Sequence, residues 1–175
     1  MNDATNIPIA QSGIRWLWIT ALVFVMDQIT KLWIVASITH DLDVLPVLNI
    51  VHRTNEGAAW SMGADWGGLQ RWLFSALAIG VTIALIVWLR RLALANQRLL
   101  IGGLVLIVGG AIGNLVDRLR LGHVVDFIDV HWAGWHFPAF NVADAAISIG
   151  AALVIFDSLR EAARERRAKA AETGR

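Results

Sequence analysis

The chain has 175 residues, of which 57% are hydrophobic and only 17% are charged, so it is more apolar than an ordinary soluble domain. Its net charge of +1 leaves no basic face able to neutralise many phosphates, which argues against nucleic acid as a partner. The absence of Cys excludes a thiol nucleophile, thiolate zinc sites and disulfides. From the length, we expect residues 1–175 to form a single integral membrane domain.

Four apolar segments of about 20 residues are each long enough to cross a hydrocarbon core of about 30 Å as a helix. They cover residues 14–37, 69–89, 99–119 and 139–159. Segment 14–37 continues past Asp27 and Lys31, so we interpret it as a retained helix and not as a cleaved signal peptide. The predicted fold class is an all-α membrane protein with four transmembrane helices. A buried soluble bundle is the alternative, for which the segments are too long and too apolar.

The Lys and Arg residues indicate the orientation of these helices. Ten of them fall on the side of the two termini and five on the other side. Because cytoplasmic loops carry the excess of basic residues, both termini are predicted to be cytoplasmic and the loops 38–68 and 120–138 to face outward. The basic tail 160–175 is predicted to be a charged helical extension in the cytoplasm, solvated or near anionic lipid.

The outer loops contain a second type of structure. Residues 44–53 are rich in β-branched side chains and are interrupted by Pro46, which predicts short strands. The sequence Asn-Glu-Gly at 55–57 predicts a turn, and residues 132–135 predict another in the second outer loop. We therefore expect a small extracytoplasmic β region within the first outer loop.

Several polar residues are predicted to converge in the outer part of the membrane. At about 1.5 Å per residue, Asp27 lies deep in the first helix, and Asn114 and Arg118 lie near the outer end of the third. Asn141 and Asp144 lie at the outer start of the fourth. Ionisable groups at this depth are costly, and they mark a functional site by default.

Two carboxylates stand out within this set. Asp126 and Asp144 are on the same predicted membrane face and are separated by 17 residues. Two carboxylates held close together cannot both ionise easily, so one can act as a base for water while the other stays protonated as an acid. The alternatives are that Asp144 is a partner for the helix dipole and that Asp126 is a solvated loop residue.

The remaining polar residues have other interpretations. Asp27 and Lys31 are i,i+4 and predict a structural ion pair. Arg118 has the donor geometry to hold Asp117 or a substrate carbonyl. The Gly-x-x-x-Gly pattern at 109–113 predicts close helix packing. A metal cluster is conceivable, but its spacing matches no strong metal signature and no metal or other cofactor is expected. That cluster would consist of His123, Asp126, Asp129 and His131.

Five motifs, in this order and with this predicted topology, resemble those of the bacterial lipoprotein signal peptidases, the signal peptidase II family. The resemblance covers nearly the whole chain, from residue 18 to about residue 157. The motifs are DQITK at 27–31, NEGAA at 55–59, GNLVDR at 113–118, VVDF at 124–127 and FNVAD at 140–144.

This resemblance implies an aspartic endopeptidase of the bacterial cytoplasmic (inner) membrane, with Asp126 and Asp144 as the catalytic dyad near the extracytoplasmic face. Such enzymes remove the signal peptide of prolipoproteins before a cysteine that carries diacylglycerol, and the cyclic peptide globomycin inhibits them. The implied partners are prolipoproteins and membrane lipid, and a monomer is expected. The implied substrate-binding or site-supporting positions are Asn55, Gly57, Asn114, Arg118 and Asn141.

The sequence departs from the family pattern at two positions. Glu56 stands where the family usually has Thr, and Trp60 stands where Phe is common. Glu56 either faces solvent or adds negative charge near the dyad.

Two other classes of function remain open from the sequence. A solute carrier would use Asp27, Lys31 and Asp144 as a relay, but carriers need polar groups reachable from both sides and often have repeated halves. A membrane assembly factor would use the outer loop as a binding platform, and replacing Asp126 would leave it functional.

Overall fold

The computed structural model describes residues 7–57, 68–95 and 97–173. In these residues, four long helices are combined with a small sheet. The elements in chain order are α1 (Leu17–Ser37), β1 (Leu42–Leu45), β2 (Leu48–Asn55), α2 (Leu69–Arg91), α3 (Arg98–Leu121), β3 (Val124–Trp132), β4 (Trp135–His136) and α4 (Val142–Thr173). All four helices are long and apolar enough to cross a membrane, as the hydropathy predicted. A 3-10 turn, Gly13–Trp16, precedes α1.

Helix α3 is the centre of the bundle. Half of its apolar window is buried inside the protein, compared with 17–22% for the other three helices. Glycines allow its neighbours to approach closely, and α4 packs against it where Gly103 faces Gly150 and where Gly110 faces Ala143. A Cβ atom added at Gly109 would lie 2.9 Å from Cβ of Val23 on α1, which confirms the predicted close packing there.

The fourth helix begins later than predicted. Phe140 is extended and exchanges backbone hydrogen bonds with Ile128 of β3, so helical geometry begins only at Val142 and not at residue 139. The helix then continues for 32 residues to Thr173, well beyond the predicted end at 159. At about 1.5 Å per residue this length exceeds a hydrocarbon core, so the charged tail is a continuous helical extension, as predicted.

The β region is larger than predicted, because it draws on both of the segments that were predicted to be outer loops. Its four strands lie in the order β1-β2-β3-β4, with every neighbouring pair antiparallel. The first two strands flank a turn at Pro46, as predicted. The second pair comes from the segment that was expected to be a loop. Ala133 and Gly134, with φ of 49° and 82°, form the tight turn between β3 and β4.

Candidate active site

Asp126 lies on β3 and is held by two asparagine side chains. Its Oδ1 accepts a hydrogen bond of 2.7 Å from Nδ2 of Asn141. Its Oδ2 accepts one of 3.1 Å from Nδ2 of Asn55, at the end of β2. Asp126 is 3% exposed, so these amides compensate for the water that the carboxylate has lost.

Asp144 is positioned by the first turn of α4. Asn141 caps this helix, and its Oδ1 accepts the backbone N–H of Asp144 at 2.9 Å. The Asp144 Oδ2 in return accepts the backbone N–H of Asn141 at 3.2 Å. This reciprocal pair is a capping box, in which the residue three positions after the cap closes the first turn. Asn141 therefore contacts both carboxylates of the predicted dyad and links them.

Asn114 of α3 holds the other oxygen of Asp144. Its Nδ2 donates to the Asp144 Oδ1 at 2.7 Å, and its Oδ1 accepts from Nζ of Lys31 at 3.0 Å. Because an ammonium only donates, this contact fixes which end of the Asn114 amide faces Lys31, and therefore which end faces the dyad. The structure thus brings the predicted residues Asn114, Asn141, Asp126 and Asp144 into one network.

The predicted ion pair between Asp27 and Lys31 is present but has a third member. Lys31 Nζ lies 2.8 Å from Oδ2 of Asp27 and 2.8 Å from Oδ2 of Asp117, and all three side chains are buried. Asp117 is therefore paired with Lys31, and the suggested hydrogen-bonded pair with Arg118 does not form. Sequence reasoning missed this role, although Asp117 and Asn114 are i,i+3 and so share a helix face.

The buried ion cluster is connected to both elements that carry the dyad. The Asp27 Oδ1 accepts the backbone N–H of Ala143, directly before Asp144, at 2.9 Å. The Asp117 Oδ2 accepts the backbone N–H of Val125, directly before Asp126, at 3.3 Å. The cluster of Asp27, Lys31 and Asp117 therefore anchors the backbone on the N-terminal side of each predicted catalytic residue.

Arg118 and the turn after β2 form the outer edge of the site. The Arg118 Nη2 donates to the carbonyl of Gly57 at 2.9 Å, and its guanidinium lies 5.4 Å from the ring centre of Phe74. The predicted turn is present, because Oδ1 of Asn55 accepts the backbone N–H of Gly57 at 3.0 Å. Glu56 is exposed in this turn, and Trp60 lies outside the described residues.

The pKa of Asp126 is higher than that of an ordinary aspartate. Burial raises its pKa first, and the nearby charge of Asp144 raises it further, to about 6. The hydrogen bonds from Asn55 and Asn141 and the charge of Lys31 act in the opposite direction. A carboxyl with this pKa exchanges its proton near neutral pH, as a general acid or base requires.

A cleft of about 1090 Å³ gives access to both carboxylates. One part of its wall is apolar and comes from the segment before α4 and from α4 itself, including Phe137, Pro138, Ile147 and Ile149. The outer part is polar and comes from the sheet. Its residues include Asp41, Asn49, Arg53, Asp129 and His136.

The suggested metal cluster does not assemble. Within residues 7–57, 68–95 and 97–173, no group of three or more His, Asp or Glu side chains is arranged to hold a metal ion. Asp129 instead accepts from Nδ2 of Asn49 at 3.3 Å and contacts Nδ1 of His136 at 2.9 Å. The ring of His131 stacks on that of His136.

Gly113 provides a test of how tightly the helices must approach at the site. A Cβ atom at this position would lie 2.6 Å from Oδ2 of Asp27 and 3.3 Å from Cβ of Ala143. We expect Gly113→Ala to lower the melting temperature and the activity, because it pushes Asp27 away from α4. Gly102→Ala on the same helix is the control, since its Cβ would lie 3.5 Å from Trp16 and alanine favours a helix by about 1 kcal/mol. Equal melting temperatures for the two variants would contradict the prediction.

Comparison with known proteins gives a consistent result. The sequence profile of a family described as Signal peptidase (SPase) II matches residues 19–160. The lipoprotein signal peptidase of Shewanella piezotolerans is 50% identical over 149 residues, which are 84% of this chain and 87% of that protein. That of Shewanella halifaxensis is 48% identical over 149 residues, with the same coverage of 84% and 87%.

Solved structures are also similar. One, described as a bacterial membrane enzyme determined by the in meso method at 2.3 Å resolution, superposes with a TM-score of 0.75 at 35% identity and covers 84% of this chain and 88% of that one. A second, with the same description at 1.9 Å resolution, has a TM-score of 0.70 at 34% identity, with coverage of 81% and 90%.

The four apolar helices and the cleft define a multi-pass membrane protein in which the buried Asp126 and the half-buried Asp144 line one cleft at the edge of the helices. The chain belongs to the signal peptidase (SPase) II family. Membership of this family makes the protein a protease.

Proposed function

We propose that this protein is an aspartic endopeptidase that removes the signal peptide from diacylglyceryl-modified prolipoproteins in the bacterial inner membrane. The observation that carries the proposal is the contact of one residue, Asn141, with both Asp126 and Asp144 at the wall of an accessible cleft. We propose a monomer that works without a cofactor, because the two aspartates supply both the acid and the base of the reaction.

The chemistry follows from the coupled titration of the two aspartates. At the operating pH the dyad holds one proton, since two carboxylates this close do not both ionise easily. The ionised carboxylate takes a proton from water, and the resulting hydroxide attacks the scissile carbonyl carbon. The protonated carboxyl donates to the carbonyl oxygen. When the tetrahedral intermediate collapses, one of its hydroxyl groups returns a proton to the ionised carboxylate, and the amine of the lipidated cysteine leaves with a proton from the other carboxyl, so that the dyad again holds one proton.

The two parts of the cleft suit the two parts of such a substrate. The apolar wall lies beside the start of α4, where the acyl chains of a diacylglyceryl cysteine would remain in contact with membrane lipid. The polar wall from the sheet faces the water side, where the mature polypeptide continues. Arg118 and Asn55 lie at the junction, within reach of the peptide backbone around the cleaved bond.

The ion cluster supports a protease over a solute carrier. A relay needs a group that can exchange partners, whereas Lys31 uses its three donors on Asp27, Asp117 and Asn114 at 2.8–3.0 Å. Its side chain is buried, and both carboxylates also accept backbone N–H groups. These contacts suit a fixed support for the dyad.

The function is tested by cleavage of a purified prolipoprotein. We expect the protein in detergent to cleave a diacylglyceryl-modified precursor immediately before the modified cysteine, as read by mass spectrometry. The same precursor without the lipid is the matched control and is expected to react far more slowly. Absence of cleavage of the lipidated precursor by folded protein would overturn the proposal.

The proposed orientation places the sheet and the cleft outside the cell and the helical tail in the cytoplasm. We expect a cysteine at Asp43, exposed on β1, to react with an impermeant maleimide added to intact spheroplasts. A cysteine at Ala170, exposed on the tail of α4, is expected to react only after lysis. Because the native chain has no Cys, each variant carries a single reactive site. The reverse labelling pattern would contradict the orientation and the location of the site.

A further inference from the structure

Arg53 lies directly opposite Asp126 in the sheet. The two residues are register partners in the antiparallel pair of β2 and β3, and both line the cleft. Side chains of directly opposed residues leave the same face of a sheet, with Cβ atoms about 4.5–5.5 Å apart. The side chain of an arginine is long enough to cover this distance, so Arg53 is placed to form an ion pair with the dyad.

The guanidinium is bound elsewhere. The Arg53 Nη1 donates to Oδ1 of Asp41 at 3.0 Å, and Nη2 donates to the other carboxylate oxygen in a two-pronged ion pair. The Oδ2 of Asp126 is meanwhile occupied by Nδ2 of Asn55. The cation that is nearest to the dyad along the sheet is therefore engaged by a different carboxylate at the mouth of the cleft.

We propose that Asp41 is a positioning residue that holds the Arg53 guanidinium away from Asp126, so that the dyad keeps its shared proton. This inference rests on the proposed function for its importance to catalysis. Asp41 does not contact Asp126, and it acts through Arg53. An aspartate that pairs with an arginine loses its proton more readily, and a dyad that works with one proton would then be ionised too early.

Replacing Asp41 is expected to move only Arg53. The other charged groups around Asp126 have partners of their own and would stay in place. Lys31 on α1 is held by Asp27 and Asp117, and Arg118 on α3 is held by the carbonyls of Gly57 and Asn114. Asp144 on α4 is held by Asn114 and Asn141. The remaining charged or titratable groups nearby are Glu56, Asp129 and His136.

Replacing Asp41 is expected to lower the pKa of Asp126. Burial and Asp144 raise the pKa of Asp126 to about 6, and Arg53 is not among the contributing charges within the described residues. In Asp41→Asn the freed guanidinium favours the ionised form of Asp126 and lowers its pKa. We expect a shift of about 1 pH unit, the lower end of the effect of an adjacent arginine, because this face is partly open to solvent.

The experiment is a double-mutant cycle read by titration of one carboxyl group. The Asp126 carboxyl stretch is followed by infrared spectroscopy from pH 4 to 8 in detergent at low salt, where the charge of the freed guanidinium is screened least. The band is assigned by its loss in Asp126→Asn. The variants are Asp41→Asn, Arg53→Gln, the double variant, and Asp41→Glu as a control that keeps the ion pair.

We expect Asp41→Asn to lower the apparent pKa, while Arg53→Gln, Asp41→Glu and the double variant stay near wild type. Two independent through-space charges would instead give opposite and equal shifts for the two single variants. Opposite and equal shifts in the two single variants would overturn the proposal. A shift that persists in the double variant, or the absence of a shift in Asp41→Asn, would overturn it as well. Asp41 and Arg53 are about half exposed, so all variants are expected to fold, as checked by thermal unfolding.

The titration needs no turnover, so it distinguishes this inference from the proposed function. If folded wild type fails to cleave a lipidated prolipoprotein, the function is wrong whatever the infrared result. If wild type cleaves, the pH profile of kcat/KM for Asp41→Asn is expected to move to lower pH by the same amount, and the double variant is expected to restore it.

Discussion

Replacing either Asp126 or Asp144 by Asn is expected to reduce kcat/KM for a lipidated prolipoprotein by more than about 10³-fold, within the range that a positioned acid or base contributes. Asparagine keeps the shape of the side chain but cannot take a proton from water or hold the shared proton of the dyad. The measurement is cleavage of the diacylglyceryl precursor under single-turnover conditions, so that loss of chemistry is separated from loss of binding.

The folded state of these variants has to be checked separately. Each carboxylate accepts two hydrogen bonds, and an Asn amide can satisfy only one of them without opposing a donor with a donor. We expect a loss of about 1–3 kcal/mol in stability, which leaves a folded protein. Asp43→Asn on β1 and Asp157→Asn on α4 are the matched controls and are expected to retain activity. Near wild-type turnover in either dyad variant would remove that residue from the mechanism.

The helices and the location of the site were predictable from the sequence because both depend on local properties. A run of about 20 apolar residues must satisfy its own backbone hydrogen bonds in a membrane, and it does so as a helix regardless of its neighbours. The direction of each helix then fixes which polar residues share a membrane face. Asp126 and Asp144 were paired on this basis, and the structure places both in one cleft.

The sheet was only half predicted, because strand pairing is not local. The pairing of β2 with β3 joins residues 69 to 82 positions apart, and Arg53 and Asp126 are one of these pairs. The turn between β3 and β4 is Ala133-Gly134, which lacks the usual Asn-Gly or Asp-Gly signal of a tight hairpin. Polar residues in β3 also made this segment resemble a loop. The opposition of Arg53 and Asp126 was therefore not visible before the register was known.

The role of Asp117 was missed for a related reason. Spacing within one helix predicts the partners of Asp27 and Lys31 at i,i+4, but it does not show which residue of another helix faces them. Asp117 faces Lys31 because α1 and α3 approach closely where Gly113 contacts Asp27. A buried lysine between two carboxylates is a feature of the packing of the two helices.

Replacing Lys31 by Met is expected to destabilise the protein by about 3–5 kcal/mol, because it leaves two buried carboxylates without their cation. Methionine is similar in length, so the loss reflects charge and not a cavity. The measurement is reversible unfolding by sodium dodecyl sulfate in mixed micelles. Arg120→Met is the matched control, because Arg120 is exposed in the last turn of α3. Its replacement is expected to cost less than about 0.5 kcal/mol of stability.

A second substitution tests whether the cost arises from unpaired charge. Asp117→Asn in the Lys31→Met background removes one of the two uncompensated carboxylates, while the Asn oxygen can still accept the backbone N–H of Val125. We expect this double variant to regain part of the lost stability. Exchanging the charges, Asp27→Lys with Lys31→Asp, is expected not to do so, because a lysine at 27 cannot accept the N–H of Ala143 and an aspartate at 31 would face Asp117. A Lys31→Met protein that folds normally but is inactive would place Lys31 in the chemistry of the site instead of in its support. A stable exchange variant would show that the orientation of the Asp27–Lys31 pair does not matter for folding.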